Sequence, residues 1–126
     1  MSKPSPNVDE ETLASTYLRQ YQTKSDSDFW AYERVSDIVR NRPQDGWRPA
    51  RRLIELAPDD AALAYVAAGP LEDMVNWWGN ELREEIEQEA RRNRRFLEAL
   101  GMIRVSEGKD SPHGWWRALL EKYRLY

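Results

Sequence analysis

The sequence predicts an all-α fold, a compact bundle of about six to seven short helices. Apolar residues recur at three- and four-residue spacing along most of the chain. Proline, glycine and polar cap residues separate these stretches at helix length. No stretch has the sustained apolar–polar alternation of a strand. Short turns favour antiparallel neighbours, and a helical-repeat stack is the alternative architecture.

The first two predicted helices follow a loose N-terminus. With 126 residues, the chain is expected to form a single domain over 1–126, with a flexible tail at 1–6. Asn7 and Glu10 have capping-box spacing, so the first helix is expected to begin there. The second runs from about Asp28 to Asn41, with Tyr32 on its apolar stripe.

Proline and glycine divide the middle of the chain. Residues 43–46 (Pro-Gln-Asp-Gly) have the composition of a turn, so the third helix is expected to begin near Trp47. Pro58 opens a fourth, short helix. Gly69 is placed to end it as a C′ residue, and Pro70 is placed to start the fifth helix.

The fifth predicted helix continues across Gly79, which costs about 1 kcal/mol relative to alanine in a helix interior and indicates a bend or a close contact. Asn93 is the predicted cap of a sixth helix, which Gly101 closes. Residues 102–105 are expected to be extended. A C-terminal helix is predicted over 111–126.

Composition excludes several classes of function. The chain has no cysteine, so disulfides, thiolate metal ligands and thiol nucleophiles are excluded. No apolar run approaches the ~20 residues that cross a bilayer, and no signal pattern opens the chain. We therefore expect a cytoplasmic protein without membrane association. The net charge of −3 disfavours nucleic acid as a partner.

The sequence has no recognisable catalytic constellation. His113 is the only histidine and has no orienting acid at a suggestive spacing. Glu72 and Asp73 point about 100° apart on a helix and suit its N-terminal dipole, and Glu72 is expected to pair with Arg51 or Arg52. The glutamates from 81 to 89 suggest a solvated face. We expect no enzyme activity, no cofactor and no metal.

Two groups of side chains are candidates for partner binding. Arginines can bind phosphate or an acidic partner, but at a helix C-terminus they also complement the dipole and pair with acids, as in Glu87–Arg91. In the adjacent pairs Trp77-Trp78 and Trp115-Trp116, the second ring lies on the core stripe and the first at a flank, where it binds a partner or is covered by another element. The candidates are Trp77, Arg91, Arg92, Arg94, Arg95 and Trp115.

Part of the chain resembles a family of small bacterial helical domains of unknown function. The resemblance covers about 29–105 and rests on Trp47, Leu53-Ile54, Pro58-Asp59-Asp60 and the block Val66-Ala67-Ala68-Gly69-Pro70-Leu71-Glu72-Asp73. It continues through the arginine-rich segment, although the family often has a proline near the position of Arg94. The resemblance implies a helical fold and a bacterial or phage origin, and it carries no catalytic residue.

The sequence thus favours a non-catalytic protein-binding module, such as an immunity or inhibitor protein of bacterial or phage origin. A self-assembling accessory protein is one alternative, with a homodimer interface built from Trp77, Trp115, Tyr123 and Tyr126. A helical nucleic-acid-binding domain that uses the arginines between Arg91 and Arg95 is the other.

Overall fold

The computed structural model describes residues 9–123, and at residue 43 it describes the backbone alone. The regular structure in this range is helical. The predicted tail, Asn7 and the end of the predicted C-terminal helix lie outside this range. No strand occurs within it, and the all-α fold is confirmed. The helices are α1 Glu10–Thr23, α2 Phe29–Asn41, α3 Pro43–Leu56, α4 Asp60–Val66, α5 Glu72–Trp78, α6 Arg83–Arg92, α7 Arg94–Leu100 and α8 His113–Lys122.

Helices distant in sequence share one hydrophobic core. α1, α2 and α3 pack against one another, and α3 also contacts α4, α5 and α7. In a repeat stack each unit would contact only its sequence neighbours. The arrangement is therefore a bundle. α2 contributes Val35 and Val39 to its fully buried side chains, and the larger ones include Leu53, Leu63, Met74, Ile86, Phe96 and Leu120.

The predicted turn at 43–46 is wrong, because these residues form the first turn of α3. Pro43 is the first residue of the helix, where its missing N–H costs nothing. Gly46 lies against the backbone of α2, and a Cβ there would come within 3.1 Å of Val39 Cα. The glycine thus permits a close helix contact.

The predicted stop and restart at Gly69-Pro70 are also wrong. The chain runs from α4 into α5 through a π-helical turn, Ala67–Leu71. A proline ring in an α-helix clashes with the carbonyl four residues earlier, here that of Val66, and offers no N–H to it. The wider π turn accommodates Pro70 without ending the helix.

The helical structure is interrupted at Gly79 and at Asn93. The predicted long fifth helix ends at Trp78, and residues 79–82 form a turn before α6. Asn93 separates α6 from α7 with an extended backbone, and its side-chain oxygen accepts from Phe96 N–H at 3.2 Å. The helix breaks without the family's proline. At α1 the cap is Asp9, which accepts from Thr12 N–H at 2.7 Å.

Gly79→Ala is expected to lower the free energy of unfolding by about 1–2 kcal/mol, because a Cβ there overpacks a rigid neighbour. It would lie 3.0 Å from Pro112 Cβ and would also meet the Val75 carbonyl oxygen. Gly114→Ala is the control, since its Cβ meets nothing within 4 Å in α8. Urea unfolding of both variants measures the effect; equal stability of the two would contradict the close contact.

Candidate protein-binding surface

Exposed aromatic side chains are concentrated on α2 and α5. Among the described residues, four large hydrophobic side chains are exposed, and three of them lie on these two helices. The exposed fractions are 44% for Phe29, 40% for Tyr32 and 46% for Trp77. The fourth is Met102, which follows α7. Tyr32 was expected on the buried stripe of α2, and its exposure is a correction.

Two pairs of contacting side chains lie on the same side of α2. The rings of Phe29 and Tyr32 stack with centroids 5.3 Å apart. Further along α2, the Arg40 guanidinium lies 5.2 Å from the centroid of the Trp77 ring. Residues 29, 32, 36 and 40 fall on one side of a helix by its 3.6-residue period. We call Phe29, Tyr32, Arg40, Asp73 and Trp77 the aromatic face.

The position of Trp77 follows from that of its neighbour. Trp78 turns inward, and its indole N–H donates to the Val39 carbonyl of α2 at 2.8 Å. Adjacent residues on a helix point about 100° apart, so Trp77 is directed to the outside. The same inward bond holds α5 against α2, and it therefore fixes the two halves of the aromatic face relative to each other.

A layer of tyrosines supports the face from behind. Buried Tyr17 stacks on Tyr32 at 6.1 Å and contacts Tyr65 at 5.9 Å. Tyr21 packs on Tyr65 at 4.2 Å, and Lys24 Nζ lies 4.6 Å from the Tyr21 ring centroid. This layer joins α1, α2 and α4, so the outer rings rest on a packed base.

The aromatic face contains two charged residues, Arg40 and Asp73, of opposite sign. Burial raises the pKa of Asp73, and the neighbouring charge of Glu72 adds to this, while Arg40 acts in the opposite direction. Burial also raises the pKa of the Tyr17 phenol behind the face. With one cation, Arg40, and one carboxylate, Asp73, the face has no net formal charge, which limits the cost of desolvating it when a partner binds.

The four arginines predicted as a cluster make different contacts. Arg95 turns inward: its Nε donates to the Ile54 carbonyl at 3.0 Å, and its Nη2 donates to the Ala57 carbonyl. These carbonyls lie at the C-terminal end of α3, where a helix lacks its own donors. Arg95 therefore caps α3.

Arg92 belongs to a network around a buried carboxylate. Glu89 is 3% exposed, which corrects its assignment to a solvated face. It accepts from Arg92 Nη2 at 2.7 Å and from Asn93 Nδ2 at 2.9 Å, and Arg51 Nε lies 3.5 Å away. Glu89 thus ties α3 to the α6–α7 junction.

The other two arginines face outward. Arg94 makes a long ion pair with Glu98 at 3.4 Å. Arg91 is exposed and forms no ion pair within the described range. The expected Glu87–Arg91 pair is replaced by Arg83–Glu87 at 2.8 Å. Arg92, although it binds Glu89, has a side chain 66% exposed, equal to that of Arg94, so Arg95 is the member of the cluster that the fold takes up most.

Trp115 is half-buried at the start of α8. Its indole N–H donates to Asn80 Oδ1 at 2.8 Å, and the Arg83 guanidinium lies 5.4 Å from its ring centroid. The Asn80 amide in turn donates to the Asp110 carbonyl at 2.7 Å. These contacts attach the 79–82 turn to the loop that precedes α8.

Glu72 and Asn76 hold the segment that follows α7. Glu72 accepts from the Arg104 backbone N–H at 2.8 Å, so its predicted pairing with Arg51 or Arg52 is wrong. Arg52 instead binds Glu11 and Glu55. Asn76 donates to the Arg104 carbonyl and accepts from Ser106 N–H, both at 2.8 Å. The predicted extended piece is thus bound by side chains rather than by a neighbouring strand.

Metal-ligand groups and membrane-spanning helices were sought among the residues that the structure describes. No group of three or more His, Asp or Glu side chains is placed to hold a metal ion there. His113 lies 3.8 Å from the exposed Glu107 carboxylate and rests against Trp116. No helix in the same range is long and apolar enough to cross a membrane.

Fold and surface together define a small all-α domain with an exposed aromatic face. The chain belongs to a family of unknown function, DUF6869, whose model matches residues 19–122. The match extends beyond the 29–105 resemblance at both ends and includes α2 through α8. Comparison with curated proteins and with solved structures finds no match.

Proposed function

We propose that this chain is a non-catalytic protein-binding module that inhibits or neutralises its partner, as an immunity or inhibitor protein of bacterial or phage origin does. The aromatic face is the observation that carries the proposal. Trp, Tyr and Arg are the residues most enriched at the energetic centres of protein interfaces. Here Trp77 and Tyr32 are exposed, and Arg40 lies against the Trp77 ring. Tyr32 is supported by the buried Tyr17.

The arginine cluster gives less support to nucleic-acid binding. Arg95 is engaged with backbone carbonyls of α3, and Arg92 with the buried Glu89. Phosphate binding would have to compete with these contacts. The net charge of −3 also opposes attraction to a polyanion.

A second copy of this chain is a less favoured partner than a different protein. Of its four candidate residues, Trp115 already has its indole N–H bonded to Asn80 within the chain. Among the three of these residues that the structure describes, Trp77 has the most exposed side chain, at 46%. Light scattering at high concentration tests this version, since a strict monomer removes it.

Trp77→Ala is expected to abolish capture of a stoichiometric protein partner from the native cell, because truncating a central Trp costs about 2 kcal/mol or more of binding, roughly 30-fold in affinity. Met102→Ala is the matched control, since Met102 is 41% exposed but does not belong to the aromatic face. Quantitative mass spectrometry compares both with the unaltered chain. Capture that recovers no stoichiometric partner, or that is equal for both variants, contradicts the proposal.

A further inference from the structure

A small cleft adjoins Trp77 on the side of α8. It has a volume of about 260 Å³ and lies between the end of α5 with its following turn and the loop before α8. Its size is below the roughly 300 Å³ of the smallest typical small-molecule sites, and suits a single side chain. Its lining includes Asn76, Trp77, Asn80, Glu81, Lys109 and Asp110.

Two asparagines make the walls of the cleft firm. Asn76 uses its amide on Arg104 and Ser106, as described above. Asn80 joins the indole of Trp115 to the Asp110 carbonyl. Because both amides are committed, they fix the shape of the cleft but contribute little to ligand recognition.

Besides the two asparagines, two serines, a proline and a glycine, the cleft is lined by an aromatic ring and three charged residues. The carboxylates of Glu81 and Asp110 and the ammonium of Lys109 form no ion pair or hydrogen bond with other side chains of the described residues. Two carboxylates against one ammonium leave the cleft with a formal charge of −1. Beside them stands the Trp77 ring, which is 46% exposed.

We propose that this cleft receives an arginine side chain of the bound protein partner. The inference rests on the proposed function and names the chemistry of the partner's anchor. A guanidinium is planar, so it can stack on an indole while it donates two parallel hydrogen bonds to a carboxylate. Trp77 already attracts one guanidinium, that of Arg40, which does not line the cleft. A partner that displays arginines for phosphate binding would fit this site, and an acidic partner would be repelled.

The test uses a defined probe, the blocked tripeptide acetyl-Gly-Arg-Gly-amide, titrated into the full chain. Its counterpart with citrulline in place of arginine keeps the planar shape and lacks the charge. Binding is followed by the NMR signal of the Trp77 indole N–H, assigned by its loss in Trp77→Phe. The arginine peptide is expected to shift this signal saturably and to bind at least ~5-fold more tightly than the citrulline peptide.

Variants of the cleft carboxylates complete the test. Glu81→Gln and Asp110→Asn are each expected to weaken binding about 3-fold; asparagine tolerates the positive φ of 69° at position 110. Glu98→Gln, a surface carboxylate outside the cleft, is the control and should leave affinity unchanged. Equal affinity for citrulline, unchanged affinity in both cleft variants, or no Trp77 shift overturns the inference. If Trp77-dependent capture succeeds while the tripeptide fails to bind, this inference alone is wrong; if capture fails, the proposed function is wrong.

Discussion

Arg95→Ala is expected to lower the free energy of unfolding by about 3 kcal/mol. The substitution removes a guanidinium that donates to the carbonyls of Ile54 and Ala57. Hydrogen bonds from a charged donor contribute about 1.5–3 kcal/mol, and unpaired carbonyls at a part-buried helix end add a desolvation cost. Urea unfolding at neutral pH measures the loss.

The adjacent arginine supplies the control for this experiment. Arg94 is exposed and contacts only Glu98, at 3.4 Å, in the described part of the chain. Arg94→Ala should therefore change stability by no more than about 0.5 kcal/mol. Arg95→Lys should restore part of the loss, since one ammonium cannot reproduce the fork of a guanidinium. Similar losses in the two alanine variants would contradict the assignment of Arg95 as a helix cap.

Glu89→Ala is expected to cost about 3 kcal/mol, at the lower end of the range for breaking a buried ion pair. Its carboxylate is the shared acceptor for Arg92 and Asn93 and the nearest counter-charge to Arg51. The Nε of Arg51 is buried and has no hydrogen-bond partner of its own. Without Glu89, Arg51 would keep its charge while its buried Nε lost the nearest carboxylate. Urea unfolding again gives the value, and a loss below 1 kcal/mol would contradict the network.

The lowered pKa of Glu89 also leads us to expect that the stability of the fold depends on pH. Burial pushes the pKa of Glu89 upward, but hydrogen bonds from Asn93 and Arg92 and the charge of Arg51 outweigh it, so the pKa lies below 4.5. The unfolded chain therefore binds this proton at higher pH than the folded chain does. The contribution is complete well above pH 4.5 and is lost as the pH falls through the lowered pKa. The stability difference between the native chain and Glu89→Gln should shrink from pH 6 toward pH 3; a constant difference would contradict the prediction.

Helix periodicity predicted most of the fold from the sequence alone. The apolar stripe that contains Trp78 also predicted that Trp77 would lie at a flank, because neighbouring helical residues diverge. The cap at Asn93 follows from local chemistry in the same way. By contrast, the Gly69-Pro70 sequence is compatible with two structures, a helix that stops and a π-helical turn. Both structures tolerate a proline, because neither needs an α-helical hydrogen bond from its missing N–H.

The roles of Arg95 and Glu89 could not be predicted from local pattern. The sequence of a segment with mixed acidic and basic residues does not show which of its side chains are solvated and which are half-buried. The carbonyls that Arg95 binds are 41 and 38 residues away, and Arg51 belongs to the same distant helix. The aromatic face depends in the same way on the contact between α2 and α5, which no short spacing encodes.

Hydroxyl-radical footprinting of the chain, alone and saturated with its captured partner, tests the central claim that the aromatic face is the binding surface. Phe29, Tyr32 and Trp77 are exposed in the free chain and should oxidise readily. The account predicts that the partner slows oxidation of all three by at least about 5-fold, because interface centres exclude water, while oxidation of Met102 is unchanged. Unchanged oxidation of the three aromatic side chains in a saturated complex would contradict it.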